Sequence, residues 1–453
     1  MLTYQDLLEV GEYEDQRMDF VLSVISQHKA SEMFLEAVIA EQYKRHRNVT
    51  INEFQKLLYT VTGKAVPDAY TANFKLSSRF FDRFITQENQ YLLGNGTSWA
   101  NEGTEEVLGD DFDAKLQKAG EAALVGGVSF GFFNLDHLEV FKVTEFAPLY
   151  DEEDGAMKAG VRFWQIEASK PLRATLYEMD GYTEYIWING EGSIRQEKRP
   201  YVLKLMITAA DGERIYDGEN YPTFPIVPLW GNHEHQSEIV GLREQIDCYD
   251  LIKSGFANTV DDASIVYWTI QNAGGMDDVD LAQFVERIKT VHAATVSDTG
   301  ARAESHTIDI PYASREALLD RLRSDLYEDA MALDTKNLSG GNVTATQIRA
   351  AYEPLNSKVD KYEVCVKEFV KDILAIAGVD DTPTFTRSTL VNANEEISMV
   401  IQAGEYLPEE YITKKILTLL GDADMIDEIL DDIRMEDEDR LEDETNEESP
   451  EED

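Results

Sequence analysis

Eight apolar residues, Ile348, Tyr352, Leu355, Val359, Tyr362, Val366, Phe369 and Ile373, recur three or four positions apart, the spacing that holds side chains on one face of an α-helix. A stripe of that length demands an equally long apolar surface to lie against. Pro354 falls inside the run, where it removes a backbone donor and crowds the preceding turn. The stripe continues in phase beyond it, so the pattern predicts one helix bent at Pro354, not two helices, and closed by Gly378. Residues 331–345, MALDTKNLSGGNVTA, precede it. Helix connections usually run about 2 to 8 residues. This one is longer, is rich in Gly, Ser, Asn and Thr, and holds one cation, Lys336. A polar loop feeding a bent helix suits a channel constriction; an ordinary helical hairpin with a slack connection is the plainer alternative.

The 453 residues have room for two to four domains, and 43% hydrophobic content with 10% aromatics can bury real cores. The formal charge is −46, from 87 acidic against 41 basic side chains. That balance excludes a conventional binder that neutralises phosphates with Lys and Arg. A protein that lets DNA slide past would instead benefit from repulsion. Cys248 and Cys365 have no Cys or His at metal-ligand spacing and are expected to be reduced and buried. Met1 leads into polar sequence without an apolar signal region, and no run of eighteen apolar residues occurs, so the expectation is a cytosolic chain with no membrane partner.

Residues 1–93 read as helical, with Thr50 and Glu53 as a capping box and a further helix over 68–93. The basic cluster at 44–47, KRHR, sits at a helix end, where it complements the dipole more simply than it binds nucleic acid. From about 140 to 216 the pattern changes to short β-rich runs. Asp180-Gly181 and Asn189-Gly190 stand where two-residue hairpin turns want positive φ, which predicts an antiparallel meander. The prolines of residues 224–229, FPIVPL, restrict that run to an edge or linker.

Ser237 can cap a helix over 237–262, roughly 39 Å long, with an apolar face of Ile239, Leu242, Ile246, Tyr249, Ile252, Phe256 and Val260. Its other face carries Glu238, Glu244, Asp247, Asp250 and Asp261. Strand-like runs at 265–270 and 305–310 flank a Gly274-Gly275 turn and a short helix near 280–291, forming a compact αβ insertion. A helix over 314–330 returns the chain to the polar loop, and further helices are expected at 394–403 and 408–420. Residues 422–453 then hold eighteen Asp or Glu against two Arg, a block that stays solvated.

Catalytic signatures fail. Leu338-Ser339-Gly340-Gly341-Asn342 resembles a transporter-ATPase signature loop, but no Walker A cradle accompanies it, and Gly63-Lys64 is followed by Ala65. Asp151-Glu152-Glu153-Asp154-Gly155 misplaces the glycine for an EF-hand and reads as a solvated loop. His233-Glu234-His235 lacks HExxH spacing, and Gly126, Gly127 and Gly131 miss the dinucleotide fingerprint. No cofactor or resident metal is expected, and the chain is read as not an enzyme.

The order of parts resembles the portal, or head-to-tail connector, proteins of tailed double-stranded DNA bacteriophages. The resemblance is carried by Tyr91-Leu92-Leu93-Gly94, Gly126-Gly127 before an aromatic strand, Ala147-Pro148-Leu149-Tyr150-Asp151 and Val161-Arg162-Phe163-Trp164. More specific is Phe224-Pro225-Ile226-Val227-Pro228, then Asn232, Ile246-Asp247, Tyr249-Asp250, Ser254, Asn258 and Asp261, with Ser339-Gly340 ahead of the last long helix. The family usually places a basic residue soon after that Ser-Gly pair, whereas here the first is Arg349.

The resemblance implies an α+β portal fold: an α/β wing (1–236), a first stem helix (237–262), a small αβ clip (263–313), a second stem helix (314–330), a tunnel loop (331–345), a kinked helix with a helical crown (346–420) and an acidic tail (421–453). It implies a dodecameric ring at one capsid vertex, with a channel through which double-stranded DNA is packaged and ejected. Its implied partners are the terminase large subunit, a head-completion adaptor, and the major capsid and scaffolding proteins. Its place would be the virion, and the host cytoplasm during assembly. Glu244, Asp247, Asp250 and Asp261 become the channel-lining candidates of the stem. Lys336, Asn337, Ser339, Gly340, Gly341 and Asn342 form the DNA-facing loop, Lys336 and the two asparagine amides making light phosphate contact. The competing reading is an acidic intracellular scaffold or metal-dependent enzyme without a channel.

Overall fold

In the computed structural model, the described residues are 2–263 (except 12, 60–62, 69–72, 102 and 209–213), 267–271, 302–306, 312–338 and 344–388, and beyond these 397, 400–402, 408–420, 426, 429 and 430. The chain divides into two compact units: residues 1–332 with 358–386, and residues 333–357 with 387–453.

The first unit begins with helices α1 (Tyr4–Val10), α2 (Glu14–Lys29), α3 (Glu32–Lys44) and α4 (Val49–Glu53). Thr3 caps α1 through a reciprocal bond with Asp6, and Ser31 caps α3. The proposed capping box at Thr50 does not form. Asn48 is the residue at the N-cap of α4, and the Thr50 hydroxyl is directed elsewhere. A hairpin of β1 (Leu57–Tyr59) and β2 (Ala65–Pro67) follows, so the helix expected over 68–93 is only α5, Phe80–Leu93. Residues 73–79 ahead of it are non-helical.

After β3 (Thr97–Ser98), α6 (Thr104–Leu108) and α7 (Phe112–Gly126), the chain builds two sheets. β4 (Val128–Asn134) lies between β5 (His137–Lys142) and β13 (Ile226–Trp230). β13 is therefore an edge strand, the position its prolines allow. Val128 to Phe133 are all buried, as a strand covered on both faces requires.

The second sheet is a five-stranded antiparallel meander, in spatial order β10-β9-β8-β7-β6. Its strands are β6 (Phe146–Tyr150), β7 (Met157–Trp164), β8 (Leu172–Glu178), β9 (Gly181–Ile188) and β10 (Glu191–Arg199). Asn189 and Gly190 form the β9–β10 turn with φ of 52° and 89°, the pair of positive values a two-residue hairpin needs. The β8–β9 turn uses Met179-Asp180, one residue earlier than expected, because Glu178 pairs with Gly181. α1 and α2 cover this sheet: Leu7, Phe20, Val21, Val24 and Ile25 bury against Leu149, Val161, Phe163, Leu176 and Trp187. A second core joins Phe130, Phe132, Phe141, Phe146, Tyr177 and Tyr201. β11 (Val202–Thr208) and β12 (Arg214–Glu219) form a separate hairpin.

Residues 238–242 form turns, and the following helix, α8, runs Arg243–Ala263 instead of starting at Ser237. Gly241, at φ +84°, supplies the reversal before it. Ser237 still acts as a cap of this turn: its hydroxyl donates to Val125 O at 2.6 Å and accepts from Ile239 N at 3.2 Å. β14 (Tyr267–Gln271) and β15 (Arg302–His306) pair antiparallel, while the Gly274-Gly275 turn and the helix near 280–291 lie outside the described residues. Helix α9 spans Tyr312–Asp329, close to the 314–330 expected.

Helix α10 is continuous over Ala345–Ala377 with Pro354 inside it, one helix as the stripe required, and Gly378 follows at φ +74°. Of the stripe, Val359, Tyr362, Val366, Phe369 and Ile373 are buried in the first unit and Tyr352 and Leu355 in the second, while Ile348 is half-buried. Burial of each such side chain contributes about 1.5–3 kcal/mol before entropy. Gly131 on β4 makes that contact possible, since a Cβ there would stand 2.4 Å from Phe369 Cζ. β16 (Thr384–Phe385) then pairs with β3.

The second unit holds a short 3-10 helix, Thr335–Leu338, residues 345–357 of α10 and helix α11, Glu409–Leu420. The acidic tail beyond residue 430 and most of the helix expected at 394–403 lie outside the described residues.

Candidate functional site

Helix α8 organises the region that the sequence marks as functional. Asp250, Ser254 and Asn258 recur every four residues and are buried. Each accepts a backbone hydrogen bond from residues 74–78: Ser78 N to Asp250 Oδ1 at 2.9 Å, Leu76 N to Ser254 Oγ at 3.0 Å and Phe74 N to Asn258 Oδ1 at 2.7 Å. The repeats match. Four helical residues rise about 6 Å, and two extended residues about 6.6 Å. One face of α8 thereby does for this strap what a neighbouring β-strand would do, satisfying alternate amides. Asn48 Nδ2 donates both to the second Asp250 oxygen and to Ser78 O, which ties α4 into the same network.

Two of the proposed channel-lining carboxylates are consequently reassigned. Asp250 is fully buried, and burial pushes its carboxyl up against hydrogen bonds from Asn48 and Ser78 that hold it down. Asp247 accepts from Tyr43 Oη at 2.5 Å and from Thr50 Oγ1 at 2.6 Å, with Arg243 Nε at 3.7 Å. Both face the protein interior because the strap and α3–α4 cover that side of α8. Glu244 and Asp261 are exposed. The expected apolar face is covered over most of its length, and Ile239 and Leu242, in the turn before α8, are buried. Ile246 is buried, Tyr249, Ile252 and Phe256 are half-buried, and Val260 is 51% exposed.

The opposite flank of α8 meets α9. Arg315 Nη1 donates to Thr259 Oγ1 at 2.9 Å, Phe256 and Tyr312 lie 5.6 Å apart, and Gln245 Nε2 donates to an Asp329 oxygen. Near the other end, Tyr249 and Tyr327 both make edge-on contacts with Phe80 of α5.

Below the helix pair sits a cluster that no sequence motif announces. Lys358 of α10 places Nζ 2.7 Å from Glu88 of α5 and 2.7 Å from Glu238, in the turn before α8, and donates to Ala330 O at 3.3 Å, just past α9. One ammonium thus joins four segments of the first unit. It borders a cavity of about 310 Å³ that Asn232, Leu242, Met331 and Tyr362 also line. Burial, aided by repulsion from Glu238, holds the Glu88 carboxyl well above its usual range despite the neighbouring ammonium. Tyr362 Oη donates to Asn89 Oδ1 at 3.0 Å beside the same cluster.

In the second unit, Lys336 lies in the short 3-10 helix, where its backbone N donates to Asp334 Oδ1 at 3.0 Å; Asn337 is in the same turn. Ser339, Gly340, Gly341 and Asn342 lie outside the described residues. Pro354 is exposed on α10.

Other candidates resolve into structure. Lys44 ion-pairs with Asp82 at 2.8 Å and Glu121 at 3.4 Å, and Arg45 with Glu41 at 3.4 Å, so much of the 44–47 cluster is neutralised within the chain. Asp151 is not a solvated loop residue: it is buried, pairs with Lys158 and accepts from Gln5 Nε2. His235 stacks on Trp230 at 3.7 Å between ring centroids. No group of three or more His, Cys, Asp or Glu side chains among the described residues could hold a metal ion, and no described helix is long and apolar enough to cross a membrane. Cys365 is buried as expected, but Cys248 is exposed.

The family model for phage portal proteins, SPP1 Gp6-like, matches residues 40–439, and the chain belongs to that family. Portal proteins are structural components of the virion capsid and not enzymes. The portal protein of Bacillus phage SPP1 is 22% identical over 391 residues, 78% of this chain and 74% of that protein. The portal protein of Clostridium phage phiCD119 is 26% identical over 212 residues, 45% of this chain; the match spans about half, 47%, of that relative's length. Among solved structures, a chain from the neck of an empty gene transfer agent particle, computed with C6 symmetry, has a TM-score of 0.45 at 11% identity and covers 76% of this chain and 90% of that one. A chain from the native particle's neck, computed with C12 symmetry, has a TM-score of 0.41 at 10% identity, covering 74% and 89%.

Proposed function

We propose that copies of this chain close into a ring of twelve around a channel at one vertex of a phage capsid, and that double-stranded DNA enters and leaves through that channel. The observation that carries this reading is the portal-family match, which runs from α3 to the acidic tail and includes every segment described above as organised around α8, α9 and α10. The strap-covered α8 and its partner α9 serve as the stem, the β-sheets before them as the wing, β14 and β15 as the base of a clip, and α10 with the helices after it as the kinked helix and crown. Glu244 and Asp261 line the wall with carboxylates, so passing DNA meets like charge and is not trapped. Residues 335–342, with Lys336, Asn337, Ser339, Gly340, Gly341 and Asn342, form a ring of loops that touches the phosphates lightly. Terminase docks first at the clip and a head-completion adaptor replaces it, while capsid and scaffolding proteins surround the wing and crown.

Replacing residues 335–342 by a shorter linker tests the assignment of the loop. Heads assembled with that variant are expected to contain normal rings, but to fill with DNA poorly or to lose it. Loss of ring assembly, or unchanged filling and retention, would remove the loop from the translocation path.

A further inference from the structure

Among the described residues β13 pairs with one strand, β4, so half of its backbone polar groups face away from the sheet. The register shows which half. Phe133 N donates to Pro225 O at 3.2 Å and Gly231 N to Gly127 O at 3.0 Å, and the pairs between them run unbroken from Ile226↔Phe132 to Trp230↔Val128. The hydrogen-bonded positions of an antiparallel pair alternate, which makes them 225, 227, 229 and 231. Ile226, Pro228 and Trp230 therefore direct their backbone outward: three carbonyls and, because Pro228 has no N–H, two donors four residues apart. Ile226 is 3% exposed and Trp230 half-buried, so little of this edge lies in open solvent.

The edge borders a cavity of about 670 Å³ within the first unit. Met157 at the start of β7, Met179 in the β8–β9 turn and Ile376 of α10 line it too, so an occupant beside the edge meets apolar side chains from three further elements. Tyr150 also lines it, and among the described residues its hydroxyl has no hydrogen-bond partner. Burial pushes that hydroxyl up to about 12, so it stays protonated and able to donate. Backbone donors and acceptors along an apolar slot match an extended peptide, whose own polar groups repeat along its length. The charged groups at the slot are net acidic. Lys158 is taken up by Asp151 and by Asp154, the latter at 2.8 Å. Asp372, on α10, has no ion-pair partner among the described residues; partial burial and repulsion from Glu368 push its carboxyl up, with Lys371 opposing them. A second copy of a chain that carries −46 would bring the wrong sign to this place.

We propose that this slot takes an extended, apolar and basic segment of a different protein, which adds a strand to the free edge of β13, packs its apolar side chains among Met157, Met179 and Ile376, and sets a lysine or arginine beside Asp372. Binding of this kind requires no ring, so it stands apart from the reading above. Pro228 sets its selectivity. With the middle donor missing, a strand from any source makes only an interrupted ladder here, and affinity has to come from the side-chain contacts as well as from the backbone.

The probe is a fluorescent nine-residue peptide of alternating Lys and Val, titrated with the full chain at about 0.15 M salt to screen diffuse attraction to the acidic surface. Saturable binding is expected, with slowed amide hydrogen exchange over residues 224–231. Ala375→Trp, at an exposed position lining the slot, is expected to keep the parent's urea midpoint and to weaken binding by about tenfold or more, and Asp372→Lys by about tenfold. The same peptide methylated at every backbone nitrogen keeps its charge and side chains but cannot donate, and is expected to bind about tenfold more weakly or worse. No saturable binding, binding that both variants leave unchanged, or equal binding of the methylated peptide would overturn strand addition at β13. Equal binding of an alternating Glu and Val peptide would overturn the basic partner. Protection of residues 224–231 that rises with the concentration of the chain alone would assign the slot to a second copy and would equally overturn the proposal.

Discussion

Asp250 shows how a carboxylate on a helix can be misassigned by its neighbours in sequence. It stands among acidic residues, yet both its oxygens accept hydrogen bonds within the chain, from Ser78 N and Asn48 Nδ2. Asp250→Asn places an amide donor against the Asn48 amide, so it is expected to lose about 1–3 kcal/mol in urea unfolding. Glu244→Gln, on exposed surface, should leave the midpoint unchanged; equal effects of the two would contradict the assignment. Glu88 gives the pH dependence. Its folded pKa is raised above the unfolded value by burial, so its contribution to stability is full below the ordinary carboxylate range and is lost as pH rises through the folded pKa. Between about pH 5 and about pH 8 the parent should therefore lose stability more steeply than Glu88→Gln, in which Lys358 keeps Glu238 as partner. Parallel pH profiles would show that Glu88 ionises in the folded state as it does unfolded.

At the scale of elements, the legible parts were those whose pattern is local. The α10 stripe, the Asn189-Gly190 turn and the edge position of β13 follow from periodicity, turn chemistry and missing proline donors, and each is present. Helix starts were less legible. Ser237 looks like an N-cap and does cap a turn, but Gly241 delays α8 to Arg243. The stripe Asp250, Ser254, Asn258 was visible as spacing, and its short polar side chains could have signalled an interior face holding backbone. Only the fold reveals the strap that occupies it. The Lys358 cluster was not legible at all, since Glu88, Glu238 and Lys358 are brought together by tertiary packing across most of the chain. Close approach of elements gives a further prediction. Gly131→Ala sets a methyl against the Phe369 ring and should cost about 1–3 kcal/mol by overpacking between β4 and α10. An unchanged thermal midpoint would mean that the two elements are not in that contact.

At the scale of the whole molecule, the chain is a member of the phage portal family with a formal charge of −46. Tyr312, Leu318, Phe74 and Val260 remain exposed in the single chain. The proposed assembly encloses an axial hole. Electron micrographs of the purified full chain test it most directly: closed rings of uniform diameter with an axial opening are the expected result, and compact particles without a bore would contradict it.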